Sequence, residues 1–291
     1  MNASPEKTTA TNLSYLLACE AKVEIISIGF DGPNRAGKGT QCALLRDWLA
    51  GHAIPSLIVR GDGSRTGSGE RPEDPPSPWW QAVNRRLYGL PVNYEEWNLA
   101  AYRLARELVV WRDRVLPRLA RTQGRRLGVL LVDRSLLSRT MILRAMGAPD
   151  VAGNLYAERY RAKGRRISPG LVCPDLILNL IAPRRVLASR LDPGDPKVEF
   201  RKRLIDDTCD WFGDAVAYIP RQLRSRVVEV DASEEVEGVF RHIVSILQAR
   251  FESLRCLDKA PVSQLAGPVS QCGLIGSTRI WGKQVVGERQ L

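Results

Sequence analysis

The chain has 291 residues, 44% of them hydrophobic, and carries a formal net charge of +11. That length is enough for one large core. No apolar run reaches the roughly 18 residues that a bilayer crossing needs, and residues 1–22 lack the basic start and long apolar stretch of a secretory signal. The six cysteines are scattered with no CxxC pair, and there are two histidines. Reduced thiols in a cytoplasmic protein are therefore the expectation, not a disulfide frame, a zinc site or a histidine-based centre. The basic balance suits nucleic acid, a membrane surface or anionic small substrates. Zinc-finger and compact helix-turn-helix signatures are missing, so nucleic acid is not an expected partner. The arginines are spread along the chain, and either a solvated basic surface or binding of phosphate accounts for them.

Strand and helix signals alternate. Val23 to Phe30 is an apolar, β-branched run that reads as a buried strand. "DGPNRAGKGT" follows, and Ala43, Leu44, Leu45, Trp48 and Leu49 then recur at helical spacing. "SLIVR" (Ser56 to Arg60) predicts a second strand, and the Gly, Ser and Pro content of 61–78 marks a loop. Residues 95–124 predict a long helix bent near Pro117. "LGVLLVD" is a strand ending at Asp133, and "DLILNLIA" (Asp175 to Ala182) is another, followed by a helix from "RRVLASRL". A helix over 199–219, a strand over 226–232 and an amphipathic helix over 234–254 complete the series. Short apolar strands separated by helices predict an α/β fold, a parallel sheet with helices on both faces. Residues 1–22 read as an N-terminal extension, 23–251 as the folded domain and 252–291 as a tail.

The stretch after the first strand points to a phosphate. Gly32 and Gly37 let the backbone turn its N–H groups inward on an anion, and the helix N-terminus adds partial positive charge. Lys38 suits the β- and γ-phosphates, and a hydroxyl suits magnesium. Gly39 stands where a Ser or Thr usually follows the lysine, so the hydroxyl falls one step later, on Thr40. In such a sheet the functional side chains sit at the carboxyl ends of strands. Those ends carry Asp31; Arg60 and Asp62; Asp133, Arg134 and Ser135; and Arg184. Asp133 and Arg134 read either as a magnesium and phosphate pair or as a helix cap with a surface ion pair. The basic run Tyr156 to Gly170, with Arg159, Arg161, Lys163, Arg165 and Arg166, reads either as a closing lid or as a solvated helix end.

"IGFDGPNRAGKGTQCALLRDWL" resembles the opening of the thymidylate kinase family of nucleoside monophosphate kinases. "VDRSLLS", "PDLILNLIAPRRVLASRL" and "VVEVDASEEVEGVFRHIVSIL" stand in that family's order, so the resemblance covers about Val23 to Gln248. It implies a three-layer P-loop NTPase fold and ATP–magnesium phosphotransfer to a nucleoside monophosphate in nucleotide biosynthesis. Gly32, Asn34, Arg35, Ala36, Gly37, Lys38, Gly39 and Thr40 would bind ATP. Lys38, Arg35, Asp133 and Arg165 would be catalytic, and Thr40 and Asp133 would hold magnesium. Asp31, Arg60, Arg106 and Arg134 would hold the acceptor. Asn34 replaces a loop aspartate common in the family, and Trp79 and Trp80 lie in a stretch without a clear family counterpart. The implied partners are nucleotide substrates and no membrane, and a homodimer is compatible. Asp133–Arg134–Ser135 is also similar to a motif of deoxynucleoside kinases, so a kinase acting on a hydroxyl stays open. So does a non-catalytic P-loop module that binds nucleotide or nucleic acid.

Overall fold

The computed structural model describes residues 22–60, 108, 110–145, 161–162, 165–166, 173–196, 198–255 and 257. Strand β1 (Glu24–Asp31) is the apolar run, and from Ile26 onward it is buried. Its alternation decides two cores. Ile26, Ile28 and Phe30 face one cluster, and the residues between them face the other side of the sheet. Helix α1 (Lys38–Gly51) follows the glycine loop and lays Cys42, Leu45, Trp48 and Leu49 against the first cluster. Full burial of side chains this large contributes about 1.5–3 kcal/mol each. Ala53, at φ 53°, closes the helix through a hydrogen bond from Ile54 N–H to the Leu49 carbonyl at 2.9 Å.

Strands β2 (Ser56–Arg60), β3 (Leu127–Asp133), β6 (Leu176–Ile181) and β7 (Val227–Asp231) join β1 in one sheet, ordered β2-β3-β1-β6-β7. Each neighbouring pair is parallel. Leu130 and Val132 enter one cluster and Val129 and Leu131 the other, so both faces of β3 are covered, as the continuous apolar strands predict. Helix α2 (Leu116–Thr122) and helix α3 (Leu136–Ala145) pack on one face, and α6 (Val236–Arg250) joins α1 on the other. Gln41 Nε2 ties α1 to α6 through the Val236 carbonyl at 2.9 Å.

The bend expected near Pro117 is a π-helical turn, Trp111–Val115, leading into α2. Pro117 has no N–H to give to the turn before it, and the freed carbonyls re-register there. Residues 95–107 of the expected long helix lie outside the described residues. Of the expected helix over 199–219, α5 (Val198–Gly213) is α-helical and Ala215–Tyr218 is a 3₁₀ turn. Between α3 and β6, β4 (Arg161–Ala162) and β5 (Arg165–Arg166) pair antiparallel as a small hairpin. Helix α4 (Arg184–Ser189) leads from β6 toward α5. A last turn, α7 (Glu252–Arg255), buries Leu254, so the packed chain extends past residue 251.

Candidate functional site

The chain crosses from one side of the sheet to the other at β1: β3 is its neighbour on one side and β6 on the other. Such a switch point leaves a crevice beyond the strand's carboxyl end. The glycine loop, residues 32–37, lies there. Gly32 has φ 136°, and a Cβ on it would sit 2.2 Å from the Leu180 carbonyl oxygen, so only glycine fits. Gly37, at φ 85°, is the N-cap of α1 and supplies no side chain to its first amides. The first turn of α1 holds no acidic residue either. The positive helix end is left without a side-chain partner, an arrangement that can take an anion.

Lys38 is 5% exposed. Its Nζ donates to the Gly32 carbonyl at 3.0 Å and to the Pro33 carbonyl at 2.5 Å, so the lysine is folded back onto its own loop. Burial holds its ammonium well below the usual lysine range, and the nearby Arg134 adds to this. Asp133 and Asp31 work in the opposite direction. Those three groups therefore lie within electrostatic reach of Lys38, as the sheet register requires. Phe30 on β1 and Arg60 on β2 both stand opposite Asp133 on β3. Asp133 Oδ2 lies 3.9 Å from where a Gly39 Cβ would be, which puts the carboxylate beside the first turn of α1. Arg134 is held at φ 67°, its N–H donating to the Phe30 carbonyl at 3.0 Å. An arginine in the left-handed region is strained by roughly 1–2 kcal/mol, and that strain aims the chain out of β3.

Asp31, expected to hold an acceptor, is placed otherwise. It is 0% exposed. Its Oδ1 accepts the N–H groups of Ser135 (2.9 Å) and Ser138 (3.0 Å), and also the Ser138 hydroxyl. Its Oδ2 accepts the Ser135 hydroxyl at 2.5 Å. Burial pushes this carboxyl above the usual range, and the serine hydrogen bonds pull it back in part. Asp31 thus ties the end of β1 to the turn carrying Asp133 and Arg134.

The structure brings Lys38, Asp133 and Arg134 together. Arg35 and Ala36 sit in the loop, with Ala36 buried; Asn34 is half-buried, and Gly39 and Thr40 are exposed on the first turn of α1. Arg60 is placed by its backbone opposite Asp133. Arg165 lies in the β4–β5 hairpin, paired with Ala162. Arg106, Trp79 and Trp80 lie outside the described residues. Arg184 turns away to an exposed pair with Asp210.

Three side chains at the loop were not expected. Arg190 donates from Nη2 to the Ala232 carbonyl at 2.8 Å and from Nη1 to the Arg35 carbonyl at 3.4 Å. It braces the glycine loop against the end of β7. Asp195 accepts from Arg201 Nε at 2.9 Å, and the same Oδ2 is 3.7 Å from Arg35 Nη2. For Arg190 and Asp195 the signal was "SRLDPGDP", a turn-rich stretch after β6 and α4, whereas Arg201 lies on α5.

Among the described residues no group of three or more His, Cys, Asp or Glu side chains could hold a metal. Magnesium does not need one. It is commonly held by one or two carboxylates together with a substrate's phosphates, and the Asp133 carboxylate lies beside the first turn of α1.

The fold and site together define an α/β protein with a five-stranded parallel sheet whose central strand ends in a glycine loop enclosing a buried lysine. No protein-family model matches the chain, and a search of curated proteins gives no match.

Proposed function

We propose that the chain is an ATP-dependent nucleoside monophosphate kinase of the thymidylate kinase type, with the three-layer P-loop NTPase fold. The observation that carries this reading is Lys38. A buried lysine rests on its own loop carbonyls at the end of the central strand, with Asp133 and Arg134 delivered beside it by β3. Such a lysine exchanges backbone acceptors for phosphate oxygens when a triphosphate enters the loop. The N–H groups at the start of α1 and in the loop hold the β- and γ-phosphates, and Lys38 and Arg35 neutralise the group in transfer. Arg134 and Arg60 hold the acceptor's phosphate. Arg106 and Arg165 join the site in this reading from the sequence resemblance alone.

The γ-phosphoryl passes in line to an oxygen of the acceptor's phosphate, and ADP leaves. That oxygen is already ionised, so no general base is required, and the rate comes from positioning and charge. Asp133 and Thr40 would hold magnesium, which would offset phosphate charge when bound. Lys38→Met should abolish turnover while the far-UV circular dichroism and melting temperature stay near wild type. Retained turnover contradicts the assignment.

Asp133 supports a second reading. Its carboxylate lies beside the loop, where it could also take the proton of a sugar hydroxyl. In that case nucleosides, not nucleotides, are phosphorylated, and Asp133→Asn stops the chemistry while ATP still binds.

A further inference from the structure

Arg35 is an under-satisfied cation. It stands in the left-handed region at φ 64°, and its buried Nε has no hydrogen-bond partner among the described residues. Among the described residues its carboxylate neighbour is Asp195, 3.7 Å away and beyond hydrogen-bond range. Asp195 itself is mostly buried, 15% exposed, with Arg201 on the same oxygen at 2.9 Å. Arg190 reaches the same loop through the Arg35 carbonyl. Arg190 thus meets Arg35 at the glycine loop, Arg201 is linked to Arg35 through Asp195, and the anion between Arg35 and Arg201 belongs to the chain.

We infer that Asp195 is a built-in stand-in for phosphate, an autoinhibitory contact that a triphosphate must displace to gain Arg35 and Arg201. This inference rests on the nucleotide-binding reading of the loop and adds its regulation. A carboxylate at 3.7 Å holds Arg35 near the loop without meeting its donors. A polyphosphate carries more charge and more acceptor oxygens, and its terminal group can accept from Nε and Nη2 together. Displacement frees the stretch from Asp192 to Asp195 to move off the loop. An ordinary surface ion pair would also place an arginine near an aspartate, but would not oppose anion binding.

The test is calorimetric titration of the full chain with tripolyphosphate and with ATP, without magnesium. Asp195→Asn keeps shape and removes the charge, and it should bind both at least tenfold more tightly than wild type. Asp192→Asn makes the same charge change on an exposed neighbour and should bind within twofold of wild type. Asp195→Ala serves if the Asn variant folds poorly, as judged by its melting temperature. Unchanged or weaker binding in both Asp195 variants overturns the inference and leaves the loop reading intact. Equal tightening in the Asp192 variant also overturns it, since the effect is then general charge. Failure of wild type and all variants to bind either anion overturns the loop reading and the inference together.

Discussion

Replacing Asp31 with Ala is the sharpest test of how the site is built. The carboxylate is fully buried and accepts four hydrogen bonds, two of them from the backbone N–H groups of Ser135 and Ser138. The serine hydroxyls can rotate toward other acceptors, but the two amides cannot. A buried donor left unpaired costs about 1–3 kcal/mol. Removing a buried carboxylate also removes its desolvation penalty, so the net loss should be about 3 kcal/mol on the same scale. That is a large share of the ~5–15 kcal/mol typical of a whole domain, and at about 2–4 °C per kcal/mol it lowers the melting temperature by roughly 6–12 °C. Asp175 provides the comparison. It accepts two hydrogen bonds from Ser27, at 2.9 and 2.6 Å, in a partly exposed setting, and its loss should cost about 1 kcal/mol. Urea unfolding of the two alanine variants beside wild type measures both values. The reasoning fails if Asp31→Ala unfolds at the wild-type midpoint, or if it is no worse than Asp175→Ala.

Two further predictions concern the loop. Gly32→Ala forces a Cβ to within 2.2 Å of the Leu180 carbonyl and adds side-chain strain at φ 136°. It should lose nucleotide binding and lower the melting temperature, and wild-type affinity in an equilibrium titration would contradict the geometry. Lys38 has a lowered pKa in the free protein, chiefly through burial. A bound polyphosphate favours the charged ammonium and raises that pKa, so binding takes up protons and weakens as pH rises between the free and bound values. Calorimetry of ATP binding in buffers of different ionisation enthalpy should show net uptake in that window in wild type and none in Lys38→Met; net proton release from wild type contradicts it.

Much of this architecture was legible locally. The first strand, the glycine loop and the helix behind it are contiguous, and each is specified by its own residues. The strand order was not, because it depends on pairings between distant segments. Asp31 shows the limit most clearly. The resemblance gave it an acceptor-binding role, but not its surroundings: the period-2 pattern that turns Phe30 toward α1 and α6 turns Asp31 to the opposite face. Its partners lie 104 and 107 residues away, beyond any local pattern. Pro117 announced a bend, but the π-helical form depends on how the turn before it re-registers. Arg190 and Asp195 were missed because a turn-rich stretch does not say what it packs against, and Arg201 because its place on α5 does not say which loop it reaches. That packing depends on α4 and α5 returning the chain to the loop.

The central claim is phosphoryl transfer at the Lys38 loop. It is tested most directly by ADP release from ATP–magnesium across dTMP, dUMP, CMP, UMP, AMP, GMP and the matching nucleosides. The account predicts strong acceptor-dependent release with one monophosphate, highest for dTMP, and none with Lys38→Met. A folded protein that releases no ADP with any acceptor would contradict it.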